Sequence, residues 1–209
     1  MDLELIGSTQ VLYNWYIENT IFAHEFSART EEQIRDRVNA ITSAGLPFLV
    51  AVSLSRQSAS NPACVKDWII GYISLDDYVG QSSMARYTFE MKLYTHIGFR
   101  HQGIAKCLLD KLIEFADTSY IARGGYTYKN DTEYLKSGPG RVIKTILLNV
   151  HHESESVIEF QDKCLHDFGF KRCARMPGVG YKHGKKVDIS TFHYHTSEKI
   201  NATGIPDVA

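Results

Sequence analysis

The chain has little that would cross-link it. Its four cysteines, Cys64, Cys107, Cys164 and Cys173, are scattered and form no CxxC. Neither a disulfide framework nor a zinc site is expected, and reduced thiols in a cytoplasmic setting are. An excess of one charge is also missing, since 23 Lys and Arg face 24 Asp and Glu for a formal net charge of −1. That argues against a nucleic-acid partner, whose recognition usually needs a broad basic surface, and leaves room only for a local patch. No apolar run approaches the ~20 residues of a membrane span, so no membrane association is expected. The opening MDLELIGSTQ has no basic n-region or apolar h-region, and no secretory signal is expected. There is no internal repeat, no low-complexity block, and no Gly-x-Ser-x-Gly or Cys/His nucleophile pattern.

What is present suits a globular protein: 209 residues, 44% hydrophobic and 22% charged. One domain is expected over 1–195, with insertions near 55–67 and 119–141 and a flexible polar tail at 196–209. Leu3 and Leu5 alternate like a short strand, and Ser8 offers an N-cap to a helix carrying Val11, Leu12, Trp15 and Tyr16. Thr30 and Gln33 form a capping-box pattern before Ile34, Val38 and Ile41, with Gly45 and Pro47 as the stop. FLVAVSL (48–54) and WIIGYISL (68–75) read as strands. RYTFEMKLYT (86–95) alternates cleanly, with Phe89, Met91 and Leu93 on one face and Thr88, Glu90, Lys92 and Tyr94 on the other. IAKCLLDKLIEFA (104–116) has helical periodicity, VIKTILLNV (142–150) is a buried strand, and a helix near 155–168 should end at Gly169. Two more strands fall within 170–181 and 186–194. Strands alternating with helices predict a mixed sheet covered by helices.

One junction carries chemistry. Arg100-His101-Gln102-Gly103-Ile104-Ala105 lies where an extended segment turns into an amphipathic helix. A helix start offers unpaired N–H groups and the positive end of the dipole, both favourable to a pyrophosphate, and an arginine adds charge-assisted hydrogen bonds. An ordinary loop with a glycine before a helix has the same local form. Glu90 sits on the polar face of a strand that otherwise looks central, as a general base would, although a salt-bridged glutamate reads alike.

The junction resembles the acetyl-CoA motif (Gln/Arg)-x-x-Gly-x-(Gly/Ala) of the GCN5-related N-acetyltransferase (GNAT) superfamily. The run Ala85-Arg86-Tyr87-Thr88-Phe89-Glu90-Met91-Lys92-Leu93-Tyr94 narrows the resemblance to the phosphinothricin and methionine-sulfoximine acetyltransferase branch. YNWYIENT (13–20), Arg29-Thr30-Glu31-Glu32, GLPFLVA (45–51) and GFKRCARMPGVGYKHGKKVDI (169–189) are similar to its flanking segments.

The resemblance implies an α/β GNAT fold, with a mixed central sheet of about six to seven strands and about four helices. It also implies acetyl-CoA as co-substrate, no metal, a small amino-acid-like amine as substrate, and a homodimer with the C-terminal strands near the interface. Glu90 would be the general base. Arg100, His101, Gln102, Gly103, Ile104 and Ala105 would hold the pyrophosphate, while the main chain of Leu93, Tyr94 and Thr95 would hold pantetheine. Arg86 would anchor the substrate. Lys92, where the branch has a smaller residue, would either favour the ionised form of Glu90 or reach a substrate carboxylate. Leu165 stands where the branch has a histidine, with His166 beside it, and His151 and His152 could supply a replacement contact or form a solvated strand end. His193 and His195 read as an edge-strand pair sooner than as metal ligands, and Cys107 reads as core. Asp76 and Asp77 hint at a cationic substrate. A polyamine, an aminoglycoside or a protein N-terminus therefore stays open as substrate, as does a non-catalytic acyl-CoA sensor. The Tyr-rich insertion (Tyr120, Tyr126, Tyr128, Tyr134) reads as a surface loop, a lid or a dimer contact.

Overall fold

The computed structural model of the chain describes residues 3–53 and 68–200. The insertion expected near 55–67, Cys64 and the end of the tail lie outside the described residues. The elements run α1 (Leu3–Asn19), α2 (Glu31–Ser43), β1 (Phe48–Ser53), β2 (Trp68–Asp77), β3 (Thr88–Thr95), a short 3-10 turn (Ile97–Phe99), α3 (Ile104–Ala116), β4 (Thr145–His152), α4 (Glu155–Asp167), β5 (Lys171–Lys182) and β6 (Lys185–His195). The strands form one six-stranded sheet in the order β1-β2-β3-β4-β6-β5. Among the described residues only the β3–β4 pairing is parallel. This is the mixed α/β architecture expected.

The start differs from expectation. Leu3 and Leu5 belong to α1, and Ser8 lies inside that helix instead of capping it. Two alternating leucines are too few to separate a period of two from one of 3.6. The buried Ile6, Thr9, Leu12, Tyr13, Tyr16 and Ile17 fix the helical period. At α2 the capping box forms as read: Gln33 N–H donates to Thr30 Oγ1 (3.2 Å), and Thr30 N–H donates to Gln33 Oε1 (3.0 Å).

Alternation along the strands sorts the molecule into layers. Ile73, Leu75, Phe89, Met91, Ile146 and Phe192 are at most 1% exposed. They lie on the face under α3: a Cβ placed on Gly71 of that face would touch Ile104 and Leu108. Burying each such side chain contributes roughly 1.5–3 kcal/mol. The opposite face carries Tyr72, Ser74, Asp76, Glu90, Lys92 and Tyr94, in register as Tyr72↔Tyr94, Ser74↔Lys92 and Asp76↔Glu90. Tyr13 and Tyr16 of α1 pack edge-on to Tyr94 at 5.2 and 4.9 Å, so α1 and α2 cover this polar side. Among the described residues no helix is long and apolar enough to cross a membrane.

The Tyr-rich insertion has no helix or strand, yet it is pinned to the body. Asp110, 2% exposed on α3, accepts from the Tyr120 and Tyr126 hydroxyls (2.6 and 3.0 Å) and from the N–H groups of Arg123 and Gly124. The Tyr134 hydroxyl bonds the Leu46 carbonyl and accepts from Phe48 N–H, and Arg141 grips both oxygens of Asp77 at 2.8 Å. Gly45, at φ 68°, lets Gly140 approach so closely that a Cβ on Gly45 would sit 2.9 Å from the Gly140 Cα. The chain after His195 also begins tied down, unlike the frayed tail expected from Thr196 onward. Thr196 is buried and donates to the Ile143 carbonyl, and Ser197 donates to Asp117.

Candidate active site

β3 and β4 pair only at Thr88↔Thr145, Phe89↔Ile146 and Glu90↔Leu147. Both strands continue, β3 to Thr95 and β4 to His152, with no further pairing between them. The sheet therefore splays open at Glu90, and the β4-facing main chain of Met91 to Thr95, including Leu93 and Tyr94, has no strand partner. Thr95 keeps one contact across the site, its carbonyl accepting from the Tyr16 hydroxyl at 2.6 Å. The Tyr94 side chain is buried among Tyr13, Tyr16 and Tyr72, and burial drives its phenol far above the ordinary value.

The opening leads toward the start of α3. Arg100, His101 and Gln102 are exposed there, with His101 at φ 61° and Gly103 at φ 83° as N-cap. Among the described residues no side chain caps the helix, and its first N–H groups, at Ile104 and Ala105, have no intrahelical partner. A Cβ at Gly103 would meet nothing within 4 Å, leaving open space above the main chain. The Arg100 guanidinium lies 5.8 Å from the Trp15 ring, and His101 meets Phe160 edge-on.

Glu90 faces the α1/α2 side. Asn149 Nδ2 donates to its Oε1 at 3.3 Å, and Thr191 Oγ1 donates to Asn149 Oδ1 at 2.8 Å. The threonine thereby turns the amide NH₂ toward the carboxylate. Lys92 lies on the same face of β3 as Glu90, and burial, aided by Arg37, pushes its ammonium pKa down, while Glu90, Glu25 and Asp76 pull it back up. Lys92 lines a cavity of about 320 Å³ together with Tyr13, Glu25, Arg29, Arg37 and Ser74. Arg86 does not line it. That residue sits half-buried in the turn before β3, its guanidinium 4.9 Å from the Tyr87 ring and its carbonyl accepting from Arg141. Of the two expected substrate anchors, the structure brings only Lys92 to the cavity.

Other expectations are corrected. Asp76 and Asp77 are not a free acidic patch, because Arg37 holds Asp76 at 2.5 Å and Arg141 holds Asp77. His152 is no solvated strand end. It is fully buried, with Nδ1 on the Ser154 carbonyl and Nε2 on the Ser190 hydroxyl at 2.9 Å. His151 stacks on His24 of the α1–α2 loop at 6.5 Å, and burial lowers its pKa. Leu165 is buried and His166 exposed, so neither meets this site. His193 and His195 touch at 4.5 Å, but β6 lies inside the sheet and β5 is the edge. Cys107 is half-buried, not core. No cluster of three or more metal-ligating side chains occurs among the described residues. Asn149, Thr191, Tyr13 and Glu25 were not read from the sequence. Only the polar interruption of β4 by Asn149 was a local signal.

No protein-family model and no curated protein sequence matches the chain. Solved structures do. A GNAT-superfamily phosphinothricin acetyltransferase from Sinorhizobium meliloti, in complex with acetyl-CoA, superposes with a TM-score of 0.69 at 19% identity, covering 100% of this chain and 94% of that one. An N-acetyltransferase from Staphylococcus aureus Mu50 gives 0.65 at 18% identity, covering 93% and 94%. The ribosomal-protein-alanine N-acetyltransferase of Brucella melitensis gives 0.65 at 18%, covering 93% and 96%. A sheet splayed beside an uncapped helix start, on a scaffold shared with these structures, means that this chain has the GNAT acetyltransferase fold.

Proposed function

We propose that the chain is an acetyl-CoA-dependent N-acetyltransferase acting on a small amine. The observation that carries this reading is the splay of β3 from β4 beyond Glu90, which opens unpaired main chain leading to the uncapped start of α3. Acetyl-CoA would supply an activated acetyl thioester. The main-chain N–H groups of Leu93 to Thr95 would bind its pantetheine and polarise the thioester carbonyl. The N–H groups from Arg100 to Ala105, with the Arg100 guanidinium, would hold the pyrophosphate, and the open space above Gly103 fits that approach. Glu90, held by Asn149, would take a proton from the substrate ammonium directly or through a water. The neutral amine would then attack the thioester carbonyl without a protein nucleophile, the C–S bond would break, and CoA would leave as a thiolate that takes up the proton lost by the acylated nitrogen. Arg86 stays in this reading as an outer substrate contact. A homodimer fits β5, an exposed sheet edge carrying Met176, Val179 and Tyr181.

The test is acetyl-CoA binding and CoA thiol release by wild type and Gly103→Glu. The substitution puts a carboxylate where phosphate would sit, and at φ 83° adds strain of about 1–2 kcal/mol, which a melting curve monitors. Loss of acetyl-CoA binding in the folded variant is expected, and normal affinity would sink the pyrophosphate assignment. Binding by wild type without thiol release on any amine would instead favour an acyl-CoA sensor.

A further inference from the structure

Resting on the acetyl-transfer reading, we propose that the substrate is a diamino acid: its acidic group pairs with Lys92, its α-amine faces Glu90, and its distal ammonium is received by Glu25. The cavity under α1 and α2 holds two opposite groups, each left incomplete. Glu25 Oε1 accepts from the Tyr13 hydroxyl at 2.6 Å, with Arg29 at 3.5 Å. Glu25 Oε2 is buried and has no hydrogen-bond partner among the described residues, although the side chain is only 13% exposed and lines the cavity. A carboxylate oxygen is costly to leave so, and a donor on the ligand completes it. Lys92 makes no hydrogen bond or close ion pair among the described residues and feels Glu90, Glu25 and Asp76 only at longer range. The neighbouring cations are spoken for: Arg37 pairs with Asp76 and Arg29 leans on Glu25. Asp36 adds a further acidic group to the lining.

Spacing sets the order of the ligand's groups. Glu90 does not itself line the cavity; it lies two residues from Lys92 on the same face of β3, about 7 Å along the strand from that lining residue. Two extended side chains can close that gap on a carboxylate and the amine next to it. Glu25 lines the same cavity from the loop after α1, held by Tyr13, and lies near enough to Lys92 for each charge to act on the other. A phosphinate or carboxylate side chain would be turned toward Glu25 Oε2 and repelled. The cavity of about 320 Å³ is at the small end of ligand sites and suits a free amino acid.

The test is titration calorimetry on the full chain in the presence of CoA, with ornithine, norvaline (no distal amine) and 1,4-diaminobutane (no carboxylate). Ornithine should bind at least about tenfold more tightly than either. Glu25→Gln, which keeps an acceptor for Tyr13, should erase the preference over norvaline. Lys92→Met should erase the preference over diaminobutane. Equal binding of the three, no binding of any, or preferences that persist in both variants would overturn the assignment. Thiol release separates the two readings. The binding pattern without turnover leaves the pocket standing and removes acetyl transfer, while turnover on amines that ignore these contacts does the reverse. If a variant fails to fold, NMR of the ornithine product decides, since acetyl on the distal nitrogen contradicts the proposal and acetyl on the α-nitrogen supports it.

Discussion

Asp117, directly after α3, offers a stability prediction whose magnitude follows from its contacts. It is 3% exposed. One carboxylate oxygen accepts from Ser197 Oγ (2.6 Å), Ser119 N–H (3.0 Å) and Ser119 Oγ (2.8 Å), and the other from the Tyr194 hydroxyl (2.8 Å) and Ser197 N–H (3.2 Å). Burial alone would raise its pKa, but these donors outweigh burial and hold it at about 2, against an ordinary 3.8. A depressed carboxylate pKa stabilises the fold above the unfolded value and loses that contribution as pH falls through the folded one. The difference is worth about 2 kcal/mol at neutral pH, with roughly half gone by about pH 3. Asp117→Asn keeps the shape but points an NH₂ at donors. At pH 7 it should lose about that amount, lowering the melting temperature by about 5–10 °C. Urea unfolding at pH 7, 5, 4 and 3 checks this. The gap between wild type and variant should narrow by about 1 kcal/mol on acidification to pH 3. A gap that stays constant with pH would show that the carboxylate's charge is not what holds the C-terminal segment to α3.

Three further outcomes are expected. Glu90→Gln should slow turnover by about 10²–10⁴-fold with little change in acetyl-CoA affinity, and unchanged turnover at saturating substrate would remove Glu90 from the mechanism. Asn149→Leu should lower kcat by about tenfold, the worth of one hydrogen bond to a charged group, leaving KM for acetyl-CoA and the melting temperature near wild type. Thr191→Val should reproduce part of this loss, and a fall in melting temperature without a fall in kcat would make Asn149 merely structural. Asp110→Ala strips four donors of their acceptor and should cost about 3–4 kcal/mol, with faster proteolysis within 119–126; a melting curve matching wild type would deny its role in pinning the insertion.

Local rules carried the reading where they had length to work on. The capping box of α2, the period of α3 and the alternation of β3 are each encoded within about a dozen residues, and each forms as read. The start of α1 fails for want of span, since Leu3 and Leu5 fit either period and only residues further on decide. The insertion fails for a different reason. Its order comes from Asp110, Leu46, Phe48 and Asp77, distant in sequence, and no local pattern shows that a tyrosine's partner is an aspartate in a helix already read as amphipathic. Strand order is equally invisible: that β6 enters between β4 and β5, placing His193 inside the sheet, follows from long-range pairing.

The same division runs through the candidate site. The groups proposed for acetyl transfer sit on β3 and at the start of α3, in a strand–turn–helix unit continuous in sequence, so their spacing could be read directly. The groups proposed to choose the amine come from α1, the loop after it and β3, and they meet only when α1 and α2 close over the sheet. Glu25 looks like any loop glutamate in the sequence. Its significance lies in the closure, which leaves Oε1 on Tyr13 and Oε2 buried without a hydrogen-bond partner among the described residues. Lys92 belongs to both sets, since its position on β3 was legible while its cavity was not. Chemistry placed on a rigid strand and selectivity placed on a loop can change independently. Replacing residues within 24–29 should therefore alter which amine is accepted without moving Glu90 or the opening between β3 and β4.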